Sequence, residues 1–251
     1  MRLIEPLEPR GDAPLARAHP LPKLAAAGVL MLALFATVDV LTSAVVAVAL
    51  AAAFPLTGLP ARAFARRVAP LVLAALAIGL FNGLVGARGA EGGAAAALRL
   101  LGISVAGVMA VATIDPTELA DAIVQHLRAP PRFVIGTLAA WRLAPLFGLE
   151  WRTLGLARRA RGVEADRSLV EGLSAFPGRS FGLLVGAIRR ATRLALAMDA
   201  RGFGRRPCRT LARPRPITAS DLAIPAAALA VALGATALSV SLGSWRPLLT
   251  F

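Results

Sequence analysis

Long apolar stretches separated by short polar ones are the main pattern of this sequence. Residues 24–54 carry one charge, Asp39, and a single helix of that length would run about 46 Å, beyond a hydrocarbon core of roughly 30 Å. We therefore predict two short spans that turn near Asp39. Residues 68–86, 94–114 and 222–245 are apolar enough to predict three further spans.

Short connections are predicted between these spans. A basic loop is expected around Arg62, Arg66 and Arg67, and a glycine-containing turn over 86–93. Arg99 stands near one end of the fourth predicted span, where a long side chain can reach the membrane interface.

Residues 115–216 are polar by comparison, with 18 Arg and 8 acidic residues. Asp115 is suited to cap a helix that Pro116 begins, and Glu118 completes a signature like a capping box. Ala129-Pro130-Pro131 should end this short amphipathic helix. A long helix is then predicted over 132–161, with Pro145 as a kink.

A loop is predicted over 163–178, and a third helix over 179–201 that Gly202 and Gly204 end. Its apolar positions form a stripe on one face. They are Leu184, Ile188, Ala191, Ala195 and Met198. Residues 133–149 of the preceding helix are apolar enough to touch the membrane, and periodicity leaves open whether they lie in the interface or dip inward.

Composition supports a membrane protein, since 57% of the 251 residues are hydrophobic. The net charge of +14 comes almost wholly from arginine, because Lys23 is the single lysine. Such charge favours cytoplasmic loops and lipid headgroups as partners. No aromatic residues are interleaved with the basic clusters, so nucleic acid is not an expected partner.

The chemistry of known catalytic sites is missing from the sequence. Cys208 is alone, the two histidines are far apart, and Lys23 does not stand in a phosphate-binding loop. We expect no metal, no cofactor and no enzymatic activity. Asp39 is an intramembrane acid by position but is better explained by a hairpin turn, and Asp115 and Asp221 by helix capping.

The distribution of basic residues predicts the orientation. With the N-terminus in the cytoplasm, the basic residues before 68 and all of 115–216 lie inside, and Arg88 and Arg246 lie outside. This arrangement requires an odd number of spans, and five satisfies it.

A seven-residue pattern, Leu-Ala-x-x-Ala-Arg-Gly, occurs twice within the basic block, at 156–162 and 196–202. Arginine in a last helical turn is favoured by the helix dipole, and glycine just beyond it ends the helix. The pattern is therefore also explained by helix termination alone, and the third Ala-Arg-Gly, at 87–89, shows that the tripeptide is common in this chain. The two full copies share five residues and lie on predicted cytoplasmic helices. Both facts favour a function in binding a partner.

These residues resemble the T component of energy-coupling factor transporters, the membrane scaffold of vitamin and metal-ion importers. Residues 15–24 are similar to the family's Asp-Pro-x-x-Lys-Leu entry to the first span, with His19 where the family often has Asp. Residues 114–122 resemble the segment after the fourth span, and 141–146 its Arg-x-x-Pro stretch. The two Ala-Arg-Gly sequences resemble its most specific signature.

The resemblance implies a coupling subunit with no nucleotide site of its own. Two ATP-binding cassette ATPases would bind the helix ends, and a small membrane S component would bind the substrate and dock on the apolar faces of the helices. The implied ATPase-binding residues are Ala160, Arg161, Gly162, Ala200, Arg201 and Gly202. The implied location is the plasma membrane of a bacterium.

The expected fold is an all-α integral membrane protein of about five spans, with a cytoplasmic coupling domain before the last. Its parts are a tail (1–23), four spans (24–114), the coupling domain (115–216) and a last span with an external tail (217–251). A self-contained carrier or channel is the alternative function, and a lipid-modifying enzyme is disfavoured because clustered acids and histidines are missing. Cobalt, nickel, biotin and other vitamins all remain open as cargo.

Overall fold

Helices make up the regular structure of the described chain. The computed structural model describes residues 13–86, 88–162, 169–203 and 214–245, and these ranges contain no strand. Their helices are α1 (Pro14–Arg17), α2 (Pro20–Ala36), α3 (Val40–Ala53), α4 (Ala61–Val85), α5 (Gly89–Thr113), α6 (Pro116–His126), α7 (Pro131–Ala160), α8 (Leu169–Ala200) and α9 (Ala219–Ser241). The all-α fold predicted from the sequence is confirmed.

The chain divides into two compact units. The first comprises Met1–Ala122 and Arg215–Phe251, and the second comprises Ile123–Pro214. The first unit therefore holds α1 to α5 and α9, and the second holds α7 and α8 in full.

The core of the first unit joins α2, α3, α5 and α9. Leu34 and Val46 are fully buried there, and Ala106 and Ala228 pack in the same cluster. Alanine at such contacts lets helix backbones approach closely. Close packing of this kind holds membrane helices together. In lipid the hydrophobic effect does not drive helices into contact, so van der Waals packing has to do so.

Asp39 makes the turn between α2 and α3. It is the N-cap of α3, and its Oδ2 accepts the backbone N–H of Thr42 at 2.7 Å. The same oxygen accepts the hydroxyl of Ser239 in α9 at 2.8 Å. The predicted helical hairpin is confirmed, and the capping residue also ties the turn to α9.

Two glycines allow α4 and α5 to pack at very short range. A Cβ on Gly93 would stand 2.4 Å from the carbonyl oxygen of Gly79, and a Cβ on Gly79 would stand 2.7 Å from the Cβ of Ala97. Neither position therefore has room for a side chain.

Five described elements are long and apolar enough to cross a membrane. They are α3 with the 3₁₀ turn that follows it (Val40–Thr57), α4, α5, α7 and α9. The number equals the predicted five, but the members differ. Helix α2 is apolar yet has only 17 residues, fewer than the roughly 20 of a typical span. Helix α7 meets both the length and the hydropathy expected of a span, and no α7 residue in its apolar window is buried within the protein.

Three local predictions from the first unit are wrong. The expected loop around Arg62, Arg66 and Arg67 is the first two turns of α4, because Pro60 stands at the N-cap and arginine favours a helix. The turn expected over 86–93 is shorter, since α5 begins at Gly89. Arg99 lies near the middle of α5, where its guanidinium donates to the carbonyl of Phe35 at 2.9 Å.

The loop predicted over 163–178 is also wrong over its second half. Helix α8 begins at Leu169 and contains Pro177 and Gly178. Residues 163–168 lie outside the described residues, as do Gly204, Cys208 and the last six residues of the chain. By contrast, the long helix with Pro145 inside it is confirmed as α7.

Candidate functional site

The first predicted helix end, Ala160-Arg161-Gly162, stands at the end of α7 and is called here the first arginine end. The backbone N–H of Arg161 donates to Ala157 at 3.3 Å, and that of Gly162 donates to Arg159 at 2.9 Å. Gly162 has φ +72°, the left-handed conformation that glycine adopts without strain. All three residues are exposed.

The second arginine end, Ala200-Arg201-Gly202, has the same geometry at the end of α8. The N–H of Arg201 donates to Ala197 at 3.3 Å, that of Gly202 donates to Asp199 at 2.9 Å, and Gly202 has φ +76°. Phe203 adds a bond to the carbonyl of Met198 at 3.0 Å, which completes a Schellman-type cap. The sequence repeat is therefore also a structural repeat.

The third Ala-Arg-Gly differs in its setting. Arg88 precedes α5 as its N-cap residue and Gly89 is the first residue of that helix, with φ +54°. Here the arginine stands at the positive end of a helix dipole, whereas Arg161 and Arg201 stand at negative ends. The tripeptide alone does not produce a cationic helix C-terminus.

Helices α7 and α8 contact each other with opposed chain directions. Near the end of α7, Arg158 lies against Gly178, and further back Leu154 lies against Gly182. Still further back, Glu150 forms an ion pair with Arg190. The first arginine end therefore lies just beyond the contact with the early part of α8. The second lies about three helical turns beyond Arg190, on the other side of the contact.

Aromatic rings and cations reinforce this helix pair. The ring of Trp151 lies 5.3 Å from that of Phe176, and the guanidinium of Arg179 lies 5.9 Å from the centre of the Trp151 ring. The hydrogen bond to Glu150 raises the pKa of Arg190 above its ordinary value.

The chemistry available at the two arginine ends is that of an exposed guanidinium fixed at a helix terminus. Arg158 and Arg159 add positive charge to the last turn of α7, whereas Asp199 precedes the second end. Each guanidinium can donate several hydrogen bonds to carboxylates or backbone carbonyls of a partner surface. The flanking alanine and glycine are small and leave the backbone accessible.

Much of the predicted apolar stripe of α8 is exposed. Leu184 is 55% exposed and Ile188 is 57% exposed. The face of α8 that meets α7 includes instead Gly178, Gly182 and Arg190. The stripe thus leaves apolar surface for a contact outside the described chain.

The predicted capping acids act as caps. Asp115 accepts the N–H of Thr117 at 2.6 Å, and Asp221 accepts both the N–H and the hydroxyl of Thr218. Asp221 also accepts the N–H of His19 at 2.8 Å. Within residues 13–86, 88–162, 169–203 and 214–245, no three His, Cys, Asp or Glu side chains come together as a metal site.

The site residues predicted from the sequence include neither the buried Lys23 nor the Glu150–Arg190 ion pair. Lys23 is 5% exposed and donates to the carbonyls of Ala16 and Thr113 at 3.1 and 2.9 Å. As the single lysine next to an apolar segment, it could have been singled out. One feature of the sequence points to the Glu150–Arg190 pair. Its members are 40 positions apart, which is also the interval between the two copies of the repeat.

Comparison with known proteins finds one family. The model of a family described as cobalt transport protein, CbiQ, matches residues 11–210. That match includes both arginine ends. A search of the curated proteins finds no match.

Proposed function

Because the chain belongs to the cobalt transport protein family CbiQ, the T components of energy-coupling factor transporters, we propose that it is the coupling subunit of such an importer. It is a multi-pass membrane protein of a transport family and not of an enzyme family. In the proposed mechanism it transmits movement from two ATPase subunits to a substrate-binding S component.

The repeated geometry of the arginine ends carries this proposal. Two helix C-termini that end in the same Ala-Arg-Gly sequence with the same backbone bonds at Arg and Gly offer two equivalent attachment points. A pair of related ATPase subunits is a partner with matching two-fold character. We assign one ATPase to Arg161 and the other to Arg201, with acidic side chains or backbone carbonyls as acceptors.

The exposed stripe of α8 supports a second partner. Leu184 and Ile188 present apolar surface that α7 leaves uncovered. A small, apolar membrane protein such as the S component would cover that surface, and movement of α8 would then move it as well. Cobalt is the proposed cargo because the family description names it.

The proposed location is the plasma membrane of a bacterium, with the N-terminus and both arginine ends in the cytoplasm. The excess of 18 Arg over 8 acidic residues in 115–216 supports this orientation. We propose that this segment is the coupling domain, between four spans (24–114) and the last span (217–251).

The test replaces the two arginines singly and together, as Arg161→Glu and Arg201→Glu, in the full complex. Each single change should lower ATPase retention on co-purification by roughly tenfold, because a charge-assisted hydrogen bond becomes a repulsion. The double change should abolish ATPase retention and ATP-driven uptake of Co²⁺, while membrane insertion stays normal.

Arg88→Glu is the matched control, since it makes the same charge change in the same tripeptide at the start of a helix. It should leave ATPase retention unchanged. If the Arg161/Arg201 double variant kept its ATPases as well as the Arg88 variant does, the proposed role of the arginine ends would be wrong.

A further inference from the structure

The contact between α7 and α8 contains a direct ion pair whose position matches the repeat. Glu150 stands on α7 about three helical turns before Arg161, and Arg190 stands on α8 at the same sequence interval before Arg201. Because a helix rises 1.5 Å per residue, each arginine end lies about 17 Å along its axis from the pair. The pair therefore stands at the same distance from both ends.

The guanidinium of Arg190 is held from two sides. It donates to Glu150 and lies 5.9 Å from the centre of the Phe147 ring, and both of these residues are on α7. Side-chain exposure is 32% for both members of the pair, so water reaches them only in part. Such a pair is screened less than a fully exposed one and is still able to break.

The surface that surrounds the pair is smooth on the α8 side. Gly178, Gly182 and Gly186 precede Arg190 at intervals of four and lie on the same face of the helix. A Cβ on Gly182 would stand 3.6 Å from Leu154, and one on Gly186 would stand 4.0 Å from a carboxylate oxygen of Glu150. Glycine has no side chain that could pack into a groove of the facing helix, and such packing is what sets the angle at which two helices cross. The orientation of α8 on α7 then depends on the long side chains at the contact, and Arg190 is joined there to an opposite charge.

We propose that Glu150 and Arg190 are positioning residues that fix the crossing of α7 and α8 and thereby the separation of the two arginine ends. The separation itself is a property of the helix pair. Its consequence for transport rests on the proposed function, because only an importer with an ATPase on each end needs a defined spacing.

The first test measures that spacing by spin-label distances in the complete transporter. Labels are placed on Leu156→Cys and Leu196→Cys, which are 63% and 64% exposed and stand at the same position of the repeat. Cys208, the native cysteine, is replaced by Ser. Glu150→Arg and Arg190→Glu each place like charges together and should shift and broaden the distance distribution, and the double exchange should restore it.

Two control variants separate the proposed effect from misfolding and from unspecific effects of charge. Glu150→Gln keeps the shape of the side chain and should give a smaller change in the same direction. Arg189→Glu makes the charge change of Arg190→Glu at the neighbouring exposed position and should leave the distances unaltered. Distances that are unchanged in every variant, or that the double exchange fails to restore, would overturn the proposal.

The second readout is the number of Co²⁺ ions transported per ATP hydrolysed. The single variants should keep their ATPases on co-purification yet lose roughly fivefold in this ratio, with recovery in the double exchange. If the label distances respond but transport does not, the consequence for transport is refuted. If Arg161→Glu with Arg201→Glu leaves the ATPases bound, the proposed function fails while the distance result stands independently.

Discussion

At the scale of single residues, three aspartates accept backbone N–H groups at the starts of helices. Asp39 and Asp115 precede α3 and α6 and cap them, and Asp221 completes the capping box of α9 by accepting the N–H of the N-cap residue Thr218. The bond from Ser239 to Asp39 joins residues 200 positions apart. No periodicity in the sequence encodes such a contact, which depends on how α9 packs.

His19 illustrates the same distinction. It is the N-cap of α2, and its Nδ1 accepts the N–H of Leu21 at 3.3 Å. The imidazole thus fills the capping position at which the family often has aspartate. The departure from the family motif therefore preserves the cap while removing the negative charge.

Asp39→Ala should destabilise the protein by roughly 2–3 kcal/mol, because the cap of α3 is lost and the buried hydroxyl of Ser239 loses an acceptor. Ser239→Ala removes only the bond between helices and should cost about 1 kcal/mol. Thermal unfolding in detergent measures both. Equal losses in the two variants would show that the cap contributes nothing.

At the scale of helices, periodicity and composition predicted most elements, and proline led to the clearest error. The sequence predicts a helix through Pro145 and a loop at Pro177-Gly178, and the structure has a helix at both places. The difference lies in the neighbours, since Ala175 is buried and the ring of Phe176 packs at a tilt against that of Trp151 across the helix pair. Packing against α7 thus holds a helix that the local sequence disfavours.

The close approach of α4 and α5 gives a prediction at this scale. Gly93→Ala should destabilise by about 1–3 kcal/mol, because the new methyl group would meet the backbone oxygen of Gly79. Gly28→Ala is the matched control, since a Cβ there meets nothing within 4 Å. It should be neutral or stabilising by up to about 1 kcal/mol through helix propensity. Unfolding midpoints that rank the two variants in the reverse order would contradict the close contact.

At the scale of the whole molecule, the all-α membrane class could be predicted from composition, whereas hydropathy alone does not decide which of the apolar helices span. Helix α7 is long and apolar enough to span, yet its second half carries Arg152, Arg158 and Arg159. Hydropathy alone treats this helix like α4 or α5. Its contact with α8 and its arginine end are what distinguish it, and neither is visible in a window of hydropathy.

The proposed topology predicts which cysteines an impermeant maleimide can label in intact cells. Cys208, outside the described residues, should react only after the membrane is opened, because it belongs to the predicted cytoplasmic block. Arg88→Cys in a Cys208→Ser background should react in intact cells, since Arg88 lies between α4 and α5 and the proposed topology puts that turn on the outside. The reverse labelling pattern would invert the assigned orientation.

The equal distance of the two arginine ends from Glu150 and Arg190 has a mechanical consequence. With a lever arm of about 17 Å on each side, a change of roughly 10° in the angle between α7 and α8 displaces the arginine end of either helix by about 3 Å relative to the other helix. A displacement of that size is comparable to the length of a hydrogen bond. Small angular adjustments at this charged contact would therefore change the position of the two arginine ends relative to each other by a distance of that order.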